Sequence, residues 1–172
     1  MSLEIELVSA CDERDAAGTK QRRAVWVVLG ILISVQLVPV WWFRYLPTQD
    51  GPAHVQNALL LRDLMLRRES IYQVNREPVP NWTGHLVMAG LSCFMTGRVA
   101  EKILVSMFVV GLPLAAALAG RWVRKGGEWV GVLVVPFVYS LVLHKGLYNF
   151  CLSLVGWFWL VGMLLRVLGR TL

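Results

Sequence analysis

Asp50 stands in "LPTQDGPAH", a Gly/Pro turn that follows a long apolar run ending in Trp41 and Trp42, with His54 four residues further on. Three chemistries fit a carboxylate so placed. It can cap a helix that starts at the turn, since a capping side chain followed by Pro in the first turn is a helix-start signal. It can ligate a divalent metal with some of the three histidines, His54, His85 and His144. It can also act as a general base, because partial desolvation at the mouth of a membrane cavity raises a carboxylate's affinity for a hydroxyl proton. In the last case Arg62 and Arg67, with His54, His85 and Lys145, are candidates to hold a phosphate group. Arginine suits that task through its bidentate geometry. The same arginines serve equally as solvated charges or as contacts to lipid head groups. The histidines show no HxxxH or HExxH spacing, so the metal reading ranks behind the other two.

The elements that must position these residues are membrane helices. Of the 172 residues 56% are hydrophobic and only 16% are charged, against about 25% charged in a soluble domain. Uncharged runs cover Ala24–Phe43, Pro78–Gly97, Ile103–Gly120 and Gly146–Leu165, with a shorter one at Trp129–His144. Such runs are long enough to cross a bilayer. The first is no cleaved signal: it is long, it ends in "VPVWWFRYL" without a small-x-small site, and Trp41, Trp42 and Tyr45 suit an interfacial belt. The net charge of +6 comes from Lys and Arg flanking the apolar runs. No basic patch interleaved with aromatics is present, so nucleic acid is not a partner. Cys11, Cys93 and Cys151 are far apart, without metal-ligand spacing.

The predicted architecture is an all-α polytopic integral membrane protein. Residues 1–23 form a polar cytoplasmic tail, disordered over about 1–19, and the membrane domain covers 24–172. Membrane helices are placed at about 24–45, 103–121, 128–144 and 147–168, with an external loop over 46–101 that carries two membrane-surface helices. Lys20, Arg22 and Arg23 put the N-terminus in the cytoplasm by the positive-inside rule. With 82–97 kept outside, Arg121, Arg124, Lys125, Arg166 and Arg170 also fall in the cytoplasm. Asp50 and all the histidines then lie on the opposite side. The first loop helix, from Ala53 to about Ser70, is imperfectly amphipathic and suits a surface position. Lys145 and Tyr148, in "HKGLYNF", either line the same external cavity or sit as ordinary interfacial residues.

The order of these features resembles the N-terminal part of GT-C-type polytopic glycosyltransferases, the bacterial relatives of protein O-mannosyltransferases. The matching pieces are "TQDGPAHVQNALLLRDL", "EPVPNWTGHLVMAGLSCFMTGRVAEKILVSMFVVGLPLAAALAGRW" and the hydrophobic pair that follows. The resemblance implies a catalytic carboxylate at Asp50 and a polyprenyl-phosphate sugar donor met at the external face of a bacterial cytoplasmic membrane. It also implies a module completed by further helices and a C-terminal region, or by another membrane subunit. The alternative is a non-enzymatic subunit or carrier component that binds a partner or anionic lipid. Three departures stand out. Gly51 follows Asp50 where the family has an acid, His54 stands where an aromatic is usual, and His144–Phe150 lacks a second acidic pair.

Overall fold

The computed structural model describes residues 2–68, 71–73 and 82–171, with side-chain placement described from Gly18 to Gly169 within those ranges. The described residues form helices joined by turns and contain no strand. Helix α1 covers Ser2–Trp42, α2 Gly51–Met65, α3 Trp82–Leu91 and α4 Gly97–Val123. A short α5, Trp129–Val134, leads through a 3-10 turn at Val135–Phe137 to α6, Leu141–His144, and α7 covers Tyr148–Thr171. Three of these helices are long and apolar enough to cross a membrane, over Gly18–Trp42, Gly97–Val123 and Tyr148–Gly169.

Several boundaries differ from the sequence expectation. Helix α1 begins at Ser2, ahead of the expected start near 24, in a stretch without proline before Pro39 and rich in good helix formers. The helix ends at Trp42, so Phe43–Tyr45 lie beyond it. Helix α4 starts six residues before the expected 103, because the Thr96 hydroxyl accepts the Val99 N–H at 3.4 Å and caps it. Arg98, Glu101 and Lys102 therefore lie inside the helix. Helix α2 ends at Met65, and Ser70 lies outside the described residues. Over 128–144 there is no continuous helix. Pro136 turns the chain into the 3-10 segment, and Ser140 starts a new short helix. Side chains join α1 to this break: Gln36 Nε2 donates to the Val135 carbonyl at 3.1 Å, and the Tyr139 hydroxyl donates to the Gln36 carbonyl at 2.6 Å.

Helix α4 is the axis of the bundle, with Leu104, Phe108, Val109 and Leu112 buried along it. Near its start Lys102 Nζ donates to the Phe43 carbonyl at 2.6 Å, and Ser106 accepts the Trp41 indole N–H at 3.1 Å. Near its end Arg121 lines a cleft with Arg22 and Val25, so α1 runs antiparallel to α4. Helix α7 runs parallel to it. Tyr148 meets Glu101 at one end, and at the other Gly162 packs so close that a Cβ would lie 2.8 Å from Ala119. Small residues permit such close approach where lipid supplies no drive to associate. Because α4 and α7 are parallel, the broken 129–144 segment carries the chain back along the whole bundle between them.

Candidate functional site

Helices α2 and α3 sit at the end of the bundle where α1 finishes and α4 and α7 begin. They run in the same direction, since His54 meets His85 near their starts and Arg62 Nη1 donates to the Ser92 carbonyl at 3.1 Å near their ends. The chain reaches α2 along the turn before α7. The Gln49 N–H donates to the His144 carbonyl at 2.8 Å, and the Asp50 N–H to the Lys145 carbonyl at 3.3 Å. That turn closes on Gly146, whose φ of +83° lies in the region glycine adopts without strain.

Asp50 occupies the N-cap position of α2, but its side chain makes no capping hydrogen bond. The expectation that this carboxylate caps its own helix is thereby corrected. Its backbone φ of −98° and ψ of −2° are not the extended conformation from which capping side chains normally reach back. Pro52 already fits the first turn, where no N–H is needed. The Asp50 side chain is exposed and uncommitted to the helix it precedes.

Beneath it lies a polar chain not foreseen from the sequence. The buried Tyr148 hydroxyl donates to Glu101 Oε1 at 2.6 Å, and it lies 2.9 Å from Thr48 Oγ1. With its one proton committed to Glu101, the Tyr148 oxygen accepts from Thr48. Gly51 roofs this cluster: a Cβ there would run into Thr48 Oγ1, Glu101 Oε1 and the Tyr148 hydroxyl. An acid is thus present next to Asp50, but it arrives from α4. Glu101 fills the space into which a side chain at position 51 would project. Its one visible signal was an acid a single turn inside an apolar helix.

His54 and His85 form the neighbouring pair, Nδ1 to Nε2 at 2.9 Å, and the His54 ring packs 5.3 Å from that of Tyr148. Burial and the adjacent His85 hold the His54 imidazole below its ordinary pKa. A hydrogen bond to the Gly146 backbone and the nearby Asp50 carboxylate oppose that shift. The pair needs one donor and one acceptor, so both rings cannot carry two protons while the bond persists. Asn149 Oδ1 accepts the Gly84 N–H at 2.6 Å and ties the start of α3 to α7.

The remaining candidates divide. Lys145 is exposed beside Asp50, joined through its carbonyl. Arg62 is tied by its Nε and Nη2 to Asp63 Oδ1, both at 2.8 Å, and by Nη1 to Ser92. It sits about 18 Å along α2 from Asp50 at 1.5 Å per residue. Arg67 lies beyond the helix end, exposed, with φ of +54°. The length of α2 thus sets Arg62 and Arg67 apart from Asp50. His144 directs Nδ1 to the Ser140 carbonyl at 3.0 Å. Among the described residues no group of three or more His, Cys, Asp or Glu side chains is arranged to hold a metal ion.

No protein-family model, curated protein or solved structure matches the chain.

Proposed function

We propose that this chain is the catalytic-face module of a GT-C-type glycosyltransferase that moves a sugar from a polyprenyl-phosphate donor at the extracytoplasmic face of a bacterial membrane. The observation that carries the reading is Asp50: an exposed carboxylate, unspent by capping, beside the His54–His85 pair and over the Glu101–Tyr148 chain. Asp50 takes the proton of an acceptor hydroxyl. The acceptor oxygen attacks the anomeric carbon as the bond from that carbon to the phosphate oxygen breaks. Polyprenyl phosphate leaves with the electron pair. His54, His85 and Lys145 face the donor phosphate, while Glu101 and Tyr148 fix the turn that holds Asp50. The acid from α4 next to Asp50 supports kinship with enzymes that carry two adjacent acids there.

The topology of this reading has four passages. Helices α1, α4 and α7 and the broken 129–144 segment alternate in direction, and α2 and α3 lie on the external surface. Lys20, Arg22, Arg23, Arg121, Arg124, Lys125 and Arg166 then share the cytoplasmic side, as the positive-inside rule favours.

The test is transfer of labelled sugar from a polyprenyl-phosphate donor by membranes carrying the protein or its Asp50→Asn variant. Loss of a general base lowers the rate by about 10²–10⁴-fold. Unchanged transfer with normal expression excludes Asp50 as the base. A second reading, a membrane subunit without its own activity, draws support from α7. Only 11% of its span is buried inside the molecule, against 56% for α4, which leaves a face for another helix. Stoichiometric co-purification with a second membrane protein, together with no transfer by this chain alone, favours it.

A further inference from the structure

The opposite end of the bundle carries a second polar feature, unrelated to Asp50. A cleft of about 440 Å³ opens between the start of the α1 span and the turn joining α4 to α5. Arg22 comes from α1, Arg121 from the last turn of α4, and Lys125 and Glu128 from the turn itself. Glu128 is 2% exposed, and its Oε1 lies 3.9 Å from Arg121 Nε. Three cations against one carboxylate leave two positive charges in excess in the wall. Trp129, on the rim, is 43% exposed.

The surroundings of the cleft are apolar on the side that runs into the bundle's outer face. Val25 lines it, and one and two turns further along α1 are Val28 and Ile31, both exposed. Along α5, Leu133 follows Trp129 by one turn and is 68% exposed. Beyond the cationic cleft, exposed aliphatic side chains thus follow on both α1 and α5. Past Arg121, a second cleft is lined by Trp122 and Arg166, the guanidinium lying 5.7 Å over the Trp122 ring.

We propose that the cleft of Arg22, Arg121 and Lys125 binds the phosphate head group of an anionic phospholipid, whose acyl chains lie along Val28, Ile31 and Leu133. Basic pockets between membrane helices take such head groups, each Lys or Arg near the surface adding attraction for the anionic leaflet. A soluble phosphate compound shares the head-group chemistry but has no use for these aliphatic side chains, which is why the lipid is favoured. The site rests on the membrane assignment alone and is independent of sugar transfer.

Purified full-length protein in neutral detergent is titrated by calorimetry with dioctanoyl phosphatidylglycerol, dioctanoyl phosphatidylcholine and glycerol phosphate, without donor or acceptor. Phosphatidylglycerol binds saturably, and at least about tenfold more tightly than either of the others. The double variant Arg22→Gln/Lys125→Gln loses about tenfold or more of that affinity, while Arg22→Lys/Lys125→Arg keeps it. The conservative pair guards against a folding defect in the first variant. Equal binding of the two lipids, or full affinity in the Gln variant, overturns the site. Glycerol phosphate binding as tightly as the lipid overturns the lipid assignment and makes the cleft a soluble-phosphate site.

Discussion

Tyr148→Phe removes a single oxygen from the centre of the Glu101–Tyr148–Thr48 chain and leaves the ring to pack as before. The Glu101 carboxyl, in a residue only 6% exposed, then loses its 2.6 Å donor. A buried polar atom left without its partner costs about 1–3 kcal/mol, and the Thr48 hydrogen bond adds about 1 kcal/mol. The sum is a loss of about 2–4 kcal/mol on those two magnitudes. It is measured as the shift in unfolding free energy when the protein in mixed micelles is titrated with a denaturing detergent and followed by circular dichroism. Glu101→Gln keeps an acceptor for the Tyr148 hydroxyl and costs less. In the double variant the two changes are non-additive by about 0.5–3 kcal/mol, as partners in one network are. A Tyr148→Phe loss within about 0.5 kcal/mol, the range of ordinary surface substitutions, refutes the chain as a structural tie.

Gly51→Ala places a methyl group against Thr48, Glu101 and Tyr148, and overpacking of that kind lowers stability by about 1–3 kcal/mol in the same assay; a variant as stable as the parent contradicts the packing described. The depressed pKa of His54 means that the unfolded chain binds its proton more readily than the folded one. The stability His54 contributes is therefore whole above about pH 6.5, and it is lost as pH falls from there through the lower folded value. A pH series of unfolding midpoints shows this decline in the parent and a flatter profile in His54→Gln; identical profiles remove His54 as its source. Thr96→Cys reacts with a membrane-impermeant thiol reagent added outside and Lys125→Cys only from the cytoplasm, both measured on a background lacking the native cysteines, and the reverse pattern inverts the topology.

How far the sequence disclosed this arrangement depends on the distance over which each feature is decided. The membrane-length parts of α1, α4 and α7 were legible because each contains one uninterrupted apolar run, and a run's length and lack of charge are local properties. The start of α4 was misplaced because Arg98, Glu101 and Lys102 mark an end on a hydropathy scale, whereas the Thr96 cap sets the start by a hydrogen bond. The break at 135–140 did have a local signal in Pro136, but the surrounding apolar residues outweighed it. Asp50, His54, His85 and Lys145 were singled out by residue type, and the fold draws them to one end of the bundle. Glu101 and Tyr148 are 47 positions apart, and no spacing rule reaches that far. Nor does periodicity reveal that the α2 carboxylate leaves its cap unmade, since that depends on the backbone angle ψ at a single residue.

Helix α4 carries Glu101 near one end and Arg121 near the other, in one unbroken rod. Twenty residues at 1.5 Å each put them about 30 Å apart, the thickness of a typical hydrocarbon core. The rod is therefore a gauge. In a thicker bilayer the polar ends are drawn toward hydrocarbon and the lipid around the bundle must thin, whereas in a thinner one the bundle must tilt. The bilayer that suits α4 without distortion is one whose hydrocarbon core matches the spacing of those two side chains.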